Sequence, residues 1–284
     1  NKFLANIRET DAIVQVVRCF ENDDIIHELG TVDPLRDIEI INAELILADH
    51  ASLTKRRVSR EKKSRGNDKE AKRELEVIDK ILPRLDEGKP AITADINDDD
   101  YEIMKEFFLL TSKRTIFACN VSEDDLADTI NSSKDNSMVA RVQQYAEETH
   151  GAEIIIISAR IEEELIDISP EEAKEFLADM GVMDSGFSTM IRSVYQLLGL
   201  RTYLTTGEKE TRAWTIRTGA KAPEAAGVIH TDFERGFIAA EVLHYDDYVQ
   251  LESKSAARDA GKLRIEGKEY EVKDGDVIEF RFNV

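Results

Sequence analysis

Apolar positions along this chain follow three rhythms. The first is the short, mostly apolar run, at residues 12–20, 116–119 and 153–157, unbroken at 116–119. Runs of this length suit strands covered on both faces, as in parallel sheets. Residues 12–20, rich in Val and Ile, read as a central strand, which Glu21, Asn22, Asp23 and Asp24 close in a polar loop. The second rhythm, spacings of three and four, fills the gap between the first two runs. Asp33 and Pro34 supply an N-cap acid and a first-turn proline. The helix they open carries Ile38, Ile41, Leu45 and Ala48 on one face and continues beyond residue 60. A break at residues 64–67 precedes a second helix with Leu75, Ile78, Leu82 and Leu85 on one face and Pro83 as a bend point. Two long helices around a short polar break predict an antiparallel hairpin projecting from the main body.

The same period marks several shorter helices. Residues 1–10 read as the tail of one, with Phe3, Leu4 and Ile7 on one face. Asn97 to Asp100 set acids against a helix dipole. Residues 137–149 turn Met138, Val142 and Tyr145 inward and stop at Gly151. Ser169 and Glu172 form a capping box, and residues 184–200 add one more helix. Beyond Gly199 the third rhythm, strict alternation, takes over. Residues 213–216 and 238–242 read as strands and 223–228 as a short Ala-rich helix. Ile278, Phe280, Phe282 and Val284 alternate with Glu279, Arg281 and Asn283, a half-buried strand entered by the turn Asp274, Gly275, Asp276. The expected organisation is an α/β part over 1–200, with a helical hairpin inserted at 36–110, and a small α+β domain over 201–284.

Composition narrows the class. A chain of 284 residues with 42% hydrophobic content has enough apolar material for two or three domains. No run of eighteen apolar residues would span a membrane, and no basic-then-apolar leader is present, so a cytoplasmic protein without membrane partners is expected. Cys19 and Cys119 make neither a disulfide framework nor a metal site and read as buried, reduced thiols. The five histidines lack metal-ligand spacing. The acids at 21–24 and 97–100 read as a turn and a helix cap, so no metal ligand and no catalytic residue is assigned.

The formal charge of -20 repels nucleic acid on average. Against it stand Lys55, Arg56, Arg57, Arg60, Lys62, Lys63, Arg65, Lys69, Lys72 and Arg73, opposed near the hairpin tip by Glu61, Asp68 and Glu70. Two readings stay open. The cations bind phosphate, as RNA or ribosome, or they are a solvated helix face. No aromatics interleave with them, so any binding is blind to sequence and no DNA sequence specificity is expected.

Asn120 is the first residue past the apolar run 116–119, where ligands of open α/β sheets sit. Its amide carries a donor and an acceptor and can read a purine edge, and Glu123 can accept from a base amino group. The alternative is an Asn that caps a turn, with Glu123 opening the next helix. A second strand-end loop, Ser158, Ala159 and Arg160, follows the run at 153–157.

These two loops resemble the base-recognition elements of P-loop GTPases, in which an Asn-Lys-x-Asp loop reads guanine and a Ser-Ala loop supplies backbone N–H. Here Val121 replaces the Lys and Glu123 the Asp. That departure is found in the YchF/Obg-like ATPase family, where it accompanies a preference for ATP over GTP. The resemblance extends over the whole chain. Residues 1–13 and 16–25 are similar to the family's segment after its switch II glycines. The hairpin sits where the family inserts a coiled coil. Residues 212–242 and 274–284 resemble its C-terminal TGS domain, a ubiquitin-like β-grasp module.

The resemblance implies a partial P-loop NTPase sheet of the Obg type, with ATP and Mg²⁺ as ligands and the ribosome, its large subunit in particular, as partner. Asn120 would contact the adenine edge, Val121 would pack on the base, and Glu123 would set the purine choice. Ser158 and Ala159 would close the base pocket through backbone N–H. No Gly-x-x-x-x-Gly-Lys-Ser/Thr occurs in the chain. The family places that loop, its magnesium ligands and both switches before the position of Asn1, so this chain is expected to be inactive alone, with 12–20 left as an exposed apolar edge. His230, Asp232 and Phe233 either contact RNA or fix their loop. Family members regulated by oxidation make Cys19 and Cys119 candidates only as exposed thiolates, which their strand settings oppose. The competing reading is a non-catalytic adaptor that binds RNA, ribosome or protein through the hairpin and the TGS domain.

Overall fold

The three apolar runs become three parallel strands. The computed structural model describes residues 2–66, 68–132, 136–149, 152–207 and 210–283; Asn1, Asn67, Gly151 and Val284 lie outside the described residues, as does the side chain of Phe3. In chain order, α1 (Lys2–Arg8), β1 (Ala12–Arg18), α2 (Pro34–Ser64), α3 (Lys69–Asp86), α4 (Asp98–Lys105), β2 (Arg114–Asn120), α5 (Leu126–Asn131), α6 (Ser137–Glu148), β3 (Glu153–Ile157), α7 (Ala159–Leu165), α8 (Pro170–Asp179) and α9 (Gly186–Leu197) make the first part. The sheet order is β1-β2-β3. Val16 pairs with Ala118, and Ala118 with Ile155. Val17, Phe117, Cys119, Val139, Val142 and Leu177 form one core over this sheet. Contacts divide the chain into two units, Asn1–Val194 and Tyr195–Val284.

β1 is an edge strand, as the family resemblance implied, and not the central strand its own residues suggested: Val16 is 64% exposed. Beside it opens a hollow of about 880 Å³ with Ile157, Ile166, Met183 and Phe187 in its walls. Gly186 begins α9 against this sheet. A Cβ there would stand 2.7 Å from the Ile157 side chain, and its N–H donates to Glu162 Oε1 at 2.6 Å, so the close approach requires glycine.

The hairpin forms with a different buried stripe from the expected one. Ile38, Leu45, Ile46, Asp49 and Leu53 point inward on α2, whereas Ile41 is 44% exposed. On α3 the stripe is Ala71, Glu74, Val77, Ile78, Ile81 and Leu85, with Leu75 and Leu82 only half-buried. His50–Asp86, Arg57–Asp79 and Arg60–Glu74 pairs run in opposite chain directions, so the helices are antiparallel. Asp33 caps α2 without a side-chain cap bond; its carboxylate instead receives Arg141 at 3.0 Å.

Asp49 is the hairpin's root. It is wholly buried and accepts from Leu110 N at 2.9 Å, Thr111 N at 2.7 Å and Thr111 Oγ1 at 2.8 Å. Arg8 reaches it at 3.3 Å and also donates to the Phe108 carbonyl at 2.7 Å. A buried carboxylate persists only when donors replace its water. Here the donors belong to the segment leading into β2, so α2 is tied to the sheet's lower end.

The second unit consists of β4 (Leu200–Thr206), β5 (Thr211–Arg217), α10 (Ala222–Ile229), α11 (Thr231–Arg235), β6 (Phe237–His244), α12 (Tyr245–Leu251), α13 (Lys254–Asp259), β7 (Arg264–Glu266) and β8 (Asp276–Phe282). The helix expected over 184–200 stops at Leu197, and β4 follows where no strand was expected. Sheet order is β5-β4-β8-β6-β7, with β4 and β8 parallel at the centre and the outer pairs antiparallel. That is the β-grasp arrangement. Ala222, Ala225 and Ala226 let α10 lie close on the sheet, where wholly buried Tyr203 donates to the Ala225 carbonyl at 2.9 Å. Gly275, at φ +77, turns the chain into β8. Buried Asp276 then accepts from Tyr270 Oη at 2.7 Å and Lys273 N at 2.8 Å.

Candidate functional site

Parallel pairing brings the ends of β2 and β3 side by side, and with them the two loops. Val121 N donates to the Ile157 carbonyl at 2.9 Å, which continues the ladder one residue past β2. Asn120 Oδ1 then accepts from Ala159 N at 2.8 Å. The Asn side chain therefore ties the loops together, and its Nδ2 has no acceptor among the described residues. This geometry is neither of the two readings of Asn120 in isolation: the amide spans two strands instead of capping its own turn.

The other residues of the pair fall as follows. Val121 is 2% exposed and belongs to the core with Phe117 and Leu126, so its side chain presents almost no face to a base. Ser158 is 1% exposed, and its Oγ has no hydrogen-bond partner among the described residues. Its carbonyl starts α7 by accepting from Glu162 N at 3.0 Å. Ala159 is exposed, but its N–H is the one already spent on Asn120. Glu123 is exposed, and its carboxylate makes no bond among the described residues. It does not open the next helix, whose N-cap is Asp125.

Cys119 lies on β2 and Cys19 just past β1; both are free and buried. The hydrogen bond to Cys119, and burial after it, push the Cys19 thiol far above its usual range. Neither thiol is exposed for reaction.

At the hairpin the cations divide into two sets. Arg56 and Arg60 both clasp Glu74, each at 2.8 Å, and Glu74 is buried. Arg56 also lies over the Phe107 ring, 4.6 Å from its centroid. Arg57 pairs with Asp79 at 2.7 Å and Arg65 with Glu61 at 3.0 Å. These four arginines are largely neutralised within the hairpin. Lys55, Lys62 and Lys63 are exposed and make no ion pair among the described residues. The basic tip is thus smaller than its sequence suggests. His230 caps α11 by accepting from Asp232 N at 3.2 Å, the loop-fixing role.

A family model, YchF-GTPase_C, described as a protein of unknown function (DUF933), matches residues 200–283. The ribosome-binding ATPase YchF of Haemophilus ducreyi is 49% identical over 284 residues, covering 100% of this chain and 76% of that protein. The protein of the same name from Bacillus subtilis is 46% identical with the same coverage. The chain belongs to the YchF family. The solved structure of the Schizosaccharomyces pombe YchF GTPase superposes with a TM-score of 0.82 at 36% identity, covering 99% of this chain and 75% of that one. The fold described above is therefore the YchF fold, and its second unit carries the YchF C-terminal module. The bacterial YchF relatives are named for ATP and the yeast one for GTP.

Within this YchF chain, the Asn120–Ala159 bond and the root at Asp49 were not legible beforehand. The first depends on strand register. The second is a charged residue on a stripe read for apolar ones, and its only sequence signal is its place among Leu45, Ile46 and Leu53 at helical spacing.

Proposed function

We propose that the chain is the base-recognition, hairpin and TGS portion of a ribosome-binding, cytoplasmic ATPase of the YchF type, with ATP preferred over GTP. The observation that carries this reading is the Asn120 Oδ1–Ala159 N bond. With its acceptor used, Asn120 offers a purine the Nδ2 donor, which suits the N7 acceptor of either base. The base choice then rests on Glu123, whose free carboxylate can accept from adenine's single amino group; the longer acid does not reproduce the Asp pairing of guanine's two donors. Val121 supports this loop from inside the core, so packing on the base by its side chain drops out of the proposal. Ser158 and Ala159 shape the pocket wall through backbone, with Ala159 N–H acting on Asn120 first.

Mg²⁺ is the expected companion of ATP. No group of three His, Cys, Asp or Glu among the described residues stands close enough to hold a metal. The residues of this chain bind and orient the base; they do not act on the phosphates.

The test is titration calorimetry of ATP and GTP on this chain, and on a chain extended by the relatives' remaining part. The extended chain is expected to bind ATP more tightly. Glu123→Asp should move the preference toward GTP, and Asn120→Ala should weaken both nucleotides by about tenfold, the worth of one hydrogen bond to a buried base. GTP preference in the unaltered extended chain would refute the role given to Glu123.

A second reading, a non-catalytic adaptor, is favoured by the unpaired lysines. Lys55, Lys62 and Lys63 form a phosphate-binding tip toward RNA or the large ribosomal subunit. Replacing Lys62 and Lys63 with Ala should lower ribosome co-sedimentation and flatten its salt dependence without shifting thermal stability.

A further inference from the structure

We propose that the free edge of β5 takes an extended acidic segment of a partner protein as an added strand, with carboxylates five positions apart. The idea is independent of the nucleotide reading. β5 is the outer strand of the second sheet, paired only with β4, from Leu200↔Arg217 to Thr206↔Thr211. Every second residue of such a strand points its N–H and C=O away from the partner. Apart from the Arg217 carbonyl, which closes a turn with Ala220 N at 3.1 Å, no described residue bonds to those outward groups. The opposite edge, β7, spans only Arg264–Glu266. An uncovered edge as long as β5 is a ready template for strand addition.

The side chains select the occupant. Ile216 is buried and Trp214 half-buried toward the core, while Thr211, Ala213, Thr215 and Arg217 stand exposed on the other face. Tyr195 Oη meets Thr215 Oγ1 at 3.3 Å on that face. A cation marks each end. The Arg212 guanidinium lies 4.2 Å from the Trp214 ring centroid, and its carboxylate neighbour Glu210 is 3.9 Å away, a loose pairing. Arg217 makes no ion pair among the described residues. Because their spacing is odd, the two guanidiniums sit on opposite faces of the strand.

A second copy of this chain, paired antiparallel about the centre of β5, would set Arg212 opposite Ile216 and Arg217 opposite Thr211, leaving both guanidiniums without a carboxylate. An RNA strand could meet the guanidiniums but has no backbone ladder to offer. An acidic extended segment satisfies both requirements: the ladder supplies affinity, and the two carboxylates fix the register.

The chain has one tryptophan, Trp214, beneath Arg212, so its emission reports on this edge. The probe is a capped peptide of alternating Thr and Val carrying two glutamates five positions apart, titrated into the full chain. A saturable change in emission is expected. The double variant Arg212→Glu with Arg217→Glu should bind at least tenfold more weakly, and a peptide with lysines in place of the glutamates should recover the loss. Both arginines are exposed, and circular dichroism verifies that the variant folds. No response to the acidic peptide, an equal response to acidic and lysine peptides, or a response confined to single-stranded RNA would each overturn the proposal. Concentration-dependent dimerisation through β5 would overturn it as well.

Discussion

The two sheets solve the same problem differently. The second unit's sheet puts its two longest-range strands, β4 and β8, at the centre and packs one small-residue helix, α10, against them. Its core is complete within ninety residues of chain. The first unit's sheet has three parallel strands, and one of its edges, β1, carries an exposed valine beside an apolar hollow. Parallel sheets are stable when both faces and their edges are covered. The lesson is that the mixed β-grasp layer completes its core within its own unit, while the parallel layer leaves an apolar strand at its edge.

The largest expected difference follows from that edge. On heating the 284-residue chain, the first unit should be lost before the second and associate through β1. Light scattering should rise while Trp214 emission still reports a folded second unit. Val16→Lys should raise the onset temperature of scattering. A single sharp, monomeric transition would erase the contrast between the two sheets.

Next is the hairpin root. Asp49→Ala leaves Leu110 N, Thr111 N and Thr111 Oγ1 without their acceptor in a buried site. The cost should be about 3–5 kcal/mol on the first unit's urea transition, with none on the second. The equivalent change in the second unit is milder. Tyr203→Phe removes one neutral buried bond, to the Ala225 carbonyl, and should cost about 1 kcal/mol.

The smallest effect is with pH. Burial, followed by the bond to Asp276, raises the Tyr270 hydroxyl from its ordinary 10.0 to about 12. Burial raises Tyr203 as well. A raised acid stays neutral in the folded unit while the unfolded chain ionises. The stabilisation is thus full below pH 10 and falls as pH climbs toward 12. Tyr270→Phe should make that alkaline decline shallower, read as the second unit's melting temperature against pH.

What the sequence revealed and concealed follows the same division. β2 and β3 were legible because unbroken apolar runs have few other uses. The strand at residues 12–18 was legible too, but its edge position followed only from the family resemblance; its own residues read as a central strand, since edge and centre differ only in what lies alongside. β4 was hidden because Leu197, Leu198 and Leu200 prolong a helical spacing, and only Tyr203 in the next six residues is fully buried. Ile41 was assigned inward because periodicity counts apolar residues and passes over a buried Asp49. At the site, Asn120 could be singled out by its position after a strand. That its oxygen answers Ala159 could not, because the bond needs the β2–β3 register. The hairpin's basic tip was overestimated because Glu74 and Asp79, which neutralise three of its arginines, lie on the returning helix.

The pairing of Ala12 with Arg114 also sets an order of events during synthesis. β1 leaves the ribosome long before β2 exists. Closing so long a loop is entropically costly and slow. The intervening helices, which need only local contacts, can fold first. Once α2 and α3 have zipped, Asp49 can capture Leu110 and Thr111 and deliver β2 to the neighbourhood of β1 already oriented. The hairpin would then serve as a splint that shortens the search between two strands far apart in the chain. Slower refolding of Asp49→Asn, beyond its loss of stability, would be the kinetic trace of that role.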